Sequence, residues 1–144
     1  MATSTQRQTA DAVVAAFNNM DIDGLMSHRS PECMRYFAPT SVGLKPMDNT
    51  TYANSLDKLR AIFHNFSLTV DDVVEDKPAH RITMWCKARA DTAAGEYVNE
   101  YVWLLNFDAS GEKITSSKEF SDSAMARDFF PKLTAAMEEM QKKQ

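Results

Sequence analysis

The feature that most limits what this chain can fold into is a change of period near Asn65. Before it, apolar residues recur every three or four positions: Ala10, Val13, Val14 and Phe17, then Ile22, Leu25 and Met26, then Tyr52, Leu56, Leu59 and Phe63. After it they alternate: Phe66, Leu68 and Val70 with Ser67, Thr69 and Asp71, and Ile82, Met84, Cys86 and Ala88 with Arg81, Thr83, Trp85 and Lys87. The first spacing gathers apolar side chains on one face of a helix, the second on one face of a strand. Helices followed by a meander of strands predict an α+β fold, with about three N-terminal helices packed on one face of a curved, mostly antiparallel sheet.

Local signals mark the boundaries. Thr5-x-x-Gln8 reads as a capping box opening the first helix, and Asn18-Asn19-Met20-Asp21 interrupts it. The second helix carries Arg29 on its apolar face and stops at Ser30-Pro31, since a residue before proline is pushed out of the helical region. Cys33 to Ala38 reads as a short strand ended by Pro39, and Asp48-Asn49-Thr50-Thr51 offers caps for the third helix. Asp76-Lys77-Pro78 and the loops around Gly95 and Gly111 separate the later strands, of which Glu96–Phe107 and Ile114–Ser121 are the last two. A helical tail follows from Ser123, interrupted by Pro131. No internal repeat or second domain is visible, so residues 1–144 read as one domain.

Composition narrows the function classes. At 144 residues the chain can bury a real core without disulfides or metal, since about 70% of the unfolded surface is buried at this size. Its net charge of −4 argues against a nucleic-acid partner. No run approaches the roughly 18 apolar residues of a membrane span. The first residues lack the apolar core of a signal peptide, and the two cysteines, Cys33 and Cys86, form no C-x-x-C pair and read as buried free thiols. The expectation is a cytoplasmic protein.

The strand Glu96–Phe107 is the richest stretch. Tyr97, Asn99, Tyr101, Trp103, Leu105 and Phe107 share one face, apolar bodies with a few polar tips, which suits a pocket that orients a greasy substrate. The same residues would serve equally as core. Arg29 on an apolar face needs a carboxylate such as Glu32, or a substrate oxygen. Tyr36 and Tyr52 either reach the cavity mouth or sit in the core with one satisfied hydroxyl. His64, just after the third helix, is a candidate proton carrier. Three separated histidines without i, i+4 spacing make no zinc site, and no Gly-rich phosphate loop exists, so neither a metal nor a nucleotide cofactor is expected.

Several strings carry a family likeness: His28-Arg29-Ser30-Pro31-Glu32-Cys33, Gly43-Leu44-Lys45-Pro46-Met47-Asp48-Asn49 with Tyr52, Phe63-His64-Asn65-Phe66, Tyr97-Val98-Asn99-Glu100-Tyr101, and Lys118-Glu119-Phe120-Ser121-Asp122-Ser123 with Phe129-Phe130-Pro131. Over residues 6–133 the chain resembles the SnoaL-like family of the nuclear transport factor 2 fold, and within it the fungal members found with polyketide and meroterpenoid pathways. The resemblance implies a cone-shaped fold and a homodimer joined through the outer sheet faces. It also implies a cofactor-free pocket where an acid and a base act on a small hydrophobic substrate, by isomerisation, cyclisation or dehydration. Trp85 on the outer face of its strand agrees with such a dimer.

Related cyclases place an Asp near the end of the last strand, which matches Asp122; Glu119 is the other candidate acid. Strict alternation puts Ile114, Ser116, Lys118, Phe120 and Asp122 on one face and Glu119 on the other, and a single bulge would reverse the choice. Two non-enzymatic readings stand beside catalysis: a binding protein for a hydrophobic ligand, with a purely apolar cavity, and an interaction module, with a filled cone and an exposed apolar patch.

Overall fold

The computed structural model describes residues 2–143. Helix α1 (Thr5–Asn18) is capped by the Ser4 hydroxyl, which accepts from the Arg7 amide at 3.1 Å. The predicted cap at Thr5 is thus displaced by one residue. Ala10, Val13 and Ala16 form its buried stripe. Helix α2 (Ile22–Ser27) is capped by Asp21.

Strand β1 (Arg29–Ala38) begins four residues before the predicted start. The His28 carbonyl accepts from the Ile114 amide at 2.8 Å, which draws the chain into the sheet directly after α2. Arg29 therefore opens a strand and does not ride on a helix face. A turn of 3-10 helix (Thr40–Val42) leads to α3 (Asn49–Ile62), whose cap is Asp48.

Strands β2 (His64–Asp76), β3 (Arg81–Thr92), β4 (Gly95–Phe107) and β5 (Ile114–Ser121) follow, then α4 (Ser123–Lys142). The sheet order is β1-β5-β4-β3-β2. β1 runs parallel to β5 and every other pair is antiparallel. The parallel pair needs a long crossover, which α3 and the meander supply.

The β4 alternation is as expected: Tyr97, Asn99, Trp103, Leu105 and Phe107 are buried, while Val98, Glu100 and Leu104 are exposed. On β3 the small residues Cys86, Ala88 and Ala90 stand opposite Tyr101, Asn99 and Tyr97. A large ring beside a small neighbour is how a sheet makes room for bulky inward side chains. At the other end of β4, Leu105 and Phe107 pack with Ile82 and Ile114 into the core.

Candidate active site

The half of the sheet from Tyr97 to Trp103 opens into a cavity of about 830 Å³. α3 contributes Tyr52, Leu56 and Leu59 to its wall, and the first turns of α4 contribute Ala126, Arg127 and Phe130. Most of this wall is hydrocarbon and aromatic, so the few polar groups that face inward act in a poorly hydrated space.

Two polar clusters meet there. The first centres on Glu119. Its Oε1 accepts from Arg35 Nη2 at 2.7 Å and from Trp103 Nε1 at 3.1 Å. Among the described residues Oε2 has no hydrogen-bond donor, so that oxygen is left for a ligand. Arg35 also donates from Nη1 to the Tyr52 hydroxyl at 2.9 Å, and its guanidinium lies 4.4 Å from the centre of the Tyr52 ring. Both ends of the Arg35–Glu119 pair are nearly buried, with side chains 11% and 14% exposed. Burial works to lower the Arg35 pKa, but the adjacent Glu119 carboxylate holds it above its ordinary value.

The second cluster is a hydroxyl relay. Asn99 Nδ2 donates to the Tyr97 hydroxyl at 3.0 Å, and the Tyr97 and Tyr101 hydroxyls are hydrogen-bonded to each other. The Tyr97 oxygen accepts from Asn99, and either phenol can supply the proton between the two tyrosines; when Tyr97 supplies it, the Tyr101 proton is free to point at a ligand. Burial pushes both phenols up, Tyr101 well above its ordinary value, with Tyr97 and Glu119 adding to the effect. These tyrosines stay protonated and act as donors.

The fate of the acids turns on one irregularity. Pairing of β4 with β5 passes from Phe107↔Ile114 to Asn106↔Ser116, so an extra residue, Thr115, is accommodated between them. The bulge turns Ser117, Glu119 and Ser121 to the inner face that Ile114 began, with Glu119 beside Trp103. Asp122 is instead exposed and caps α4, its carboxylate accepting from the Met125 amide at 3.1 Å. It does not line the cavity.

Three other expected residues also lie elsewhere. His64 is exposed at the start of β2, because Phe63 takes the inward position at the end of α3. Tyr36 points to the outer sheet face and is 41% exposed, since Cys33, Arg35 and Phe37 hold the inward parity of β1. Arg29 is buried but is not in the wall of the large cavity; it donates to Asn49 Oδ1 at 2.8 Å and Ser117 Oγ at 3.2 Å and makes no ion pair with Glu32.

Tyr52, Tyr97, Asn99, Tyr101, Trp103 and Glu119 are brought together. Arg35 is the residue that the sequence reading missed. Its signal was present: within a strand anchored by buried Cys33, position 35 shares the same face, so a cation there must be buried and paired.

No protein-family model matches the chain. Among curated proteins, it is 33% identical to the austinoid biosynthesis cluster protein H of Aspergillus calidoustus over 121 residues, 81% of this chain and 82% of that one. The chain belongs to the SnoaL-like family of the nuclear transport factor 2 fold. It is also 29% identical, over 132 residues, to the monooxygenase AacuP of Aspergillus aculeatus, with 92% of this chain and 91% of that one aligned. Among solved structures, the BvnE pinacolase of Penicillium brevicompactum superposes with a TM-score of 0.87 at 28% identity, over 92% of this chain and 96% of that one. A candidate SnoaL-like polyketide cyclase from Shewanella denitrificans shares the fold, with a TM-score of 0.72 at 13% identity over 85% and 94% of the two chains.

Proposed function

We propose that this SnoaL-like protein is an isomerase or cyclase that rearranges a hydrophobic polyketide or terpenoid intermediate of fungal secondary metabolism by proton transfer. The observation that carries the reading is that Glu119, whose Oε2 has no donor among the described residues, lines the same largely apolar cavity as the Tyr97–Tyr101 hydroxyl pair. In this reading Glu119 takes a proton from a substrate hydroxyl or carbon acid. Tyr101, polarised through Tyr97 and Asn99, donates to the oxygen on which charge develops. Arg35 and Trp103 fix the carboxylate by holding Oε1. For a hydroxyl next to a carbonyl, loss of the hydroxyl proton forms a new C=O, and the migrating C–C bond moves with its electron pair to the former carbonyl carbon. The carbonyl oxygen then collects the proton, so the step is redox-neutral. The pinacolase named among the structural neighbours supports this class of 1,2-shift.

The decisive experiment is turnover of the cognate pathway intermediate by Glu119→Gln, with Asp122→Ala as the control. Removing the acid/base lowers the rate about 10²–10⁴-fold, while the cap variant retains the parent rate. If Glu119→Gln turns over at the parent rate, the assignment is wrong. If the parent binds the intermediate without converting it, the protein is a carrier. The monooxygenase relative favours a second reading, in which the same base forms a carbanion at a CH2 group that adds dioxygen; the carbon is oxidised to C=O, one oxygen atom stays in the product and the other leaves as water. Incorporation of labelled oxygen into product separates the two.

The proposal takes the chain as a single domain working in the cytoplasm as a homodimer joined through the outer sheet face. Support for the dimer comes from Trp85, Val98, Leu104 and Phe120, all exposed on the side of the sheet away from the cavity. Sedimentation giving a 16.2 kDa species at micromolar concentration would count against it.

A further inference from the structure

Arg29 and Arg35 both sit on β1 with their side chains buried, yet only one is matched by a carboxylate. Arg35 has Glu119. The hydrogen-bond acceptors of Arg29, Asn49 Oδ1 and Ser117 Oγ, are neutral, and its Nη2 is buried without a partner among the described residues. The Tyr52 ring, whose centre is 4.9 Å from the Arg29 guanidinium, offers only a quadrupole. Burial lowers the Arg29 pKa, and no carboxylate acts to restore it. A guanidinium still keeps its proton in a folded protein, so a full positive charge remains without a counter-ion. Such a charge is strongly destabilising unless something answers it.

Arg29 lines a second, much smaller cavity of about 20 Å³ behind the floor of the large one. The titratable side chains around that space are Arg29, Arg35, Lys118 and Tyr52; among the described residues no carboxylate borders it. The rest of its wall is mainly hydrocarbon and aromatic, with the Ser117 hydroxyl as a further polar group. The space is small, with room for a water-sized particle next to the free N–H. Water would satisfy the free N–H but leave the charge unanswered. A monatomic anion does both.

We propose that the small cavity beside Arg29 is a binding site for a single halide ion, chloride under ordinary conditions, held by Arg29 Nη2 and sharing its field with Arg35. The ion completes the electrostatics of β1: two buried cations, one answered by Glu119 and the other by chloride. The site is distinct from the substrate cavity, although Arg35, Tyr52 and Trp103 border both.

The test uses the parent protein first. Crystals grown with sodium bromide in place of chloride are measured at the bromine edge. An anomalous peak in contact with Arg29 Nη2 is the expected result; a water or empty density there overturns the proposal. Thermal unfolding is then followed as chloride replaces gluconate at constant ionic strength. The parent melting temperature rises by roughly a few degrees as chloride passes its dissociation constant, and that of Arg29→Met does not respond. A bromide peak with a chloride-independent melting temperature in the parent means binding at crystal concentration only, and also overturns the proposal. Because both parent measurements stand alone, failure of Arg29→Met to fold does not spare the idea.

Discussion

Strand β4 runs through two different environments. From Leu105 to Phe107 its inward side chains pack against Ile82 and Ile114 in core that leaves room for no more than the small cavity beside Arg29. From Tyr97 to Trp103 the same face borders an open cavity, and every second residue ends in a hydrogen-bonding atom. Pairing with β3 runs unbroken from Gly95 to Asn106, through both halves, while β5 pairs only from Tyr101 onward; the side chains, and what the helices lay over them, differ most. In the closed half, contacts with other side chains supply stability. In the open half the contacts are incomplete by construction, and the polar tips bond to one another and to Glu119 at the cavity wall. The division predicts that substitutions in one half cost folding and in the other cost turnover.

The largest expected effect lies in the closed half. Ile82 is fully buried, and Ile82→Ala removes its packing and leaves a void, a loss of about 2–5 kcal/mol. Chemical denaturation measures it, and turnover per folded molecule stays at the parent value. An equal drop in intrinsic turnover would break the comparison. In the open half, Tyr101→Phe keeps the ring against Trp103 and removes the donor. The expected result is kcat lower by about 10²–10³-fold, with denaturation changed by no more than about 1.5 kcal/mol. A large stability loss without loss of turnover would make this half ordinary core.

The smallest effect tests how dry the boundary is. Cys86 stands opposite Tyr101, and burial pushes its thiol up to about 12. Below pH about 7.5, a unit under the ordinary cysteine value of about 8.5, the thiol is protonated in both folded and unfolded chains, and its contribution to stability is fully present. As pH rises further the unfolded chain ionises first, so that contribution falls, by at most about 1.4 kcal/mol per pH unit, until the folded thiol titrates as well. Stability measured between pH about 9 and 11 should therefore decline more steeply for the parent than for Cys86→Ala. Equal slopes would mean that water reaches the thiol.

The sequence by itself determined the layered architecture and the inward face of β4. Periods of 3.6 and two are imposed by backbone geometry, and each segment needs only its own residues to display them. The family likeness was legible for the same reason, in strings such as Tyr97-Val98-Asn99-Glu100-Tyr101. Tertiary structure decided which acid faces the cavity. The bulge at Thr115 reverses the parity of β5, and a bulge is set by the register that two strands adopt together, which neither strand encodes alone. The same holds for β1. Its pairing with β5 across the whole meander takes Arg29 out of a helix, buries Arg35 against Glu119 and turns Tyr36 outward. A buried cation is stable only beside its partner, and here that partner lies 84 residues away in the chain, beyond the reach of any local pattern.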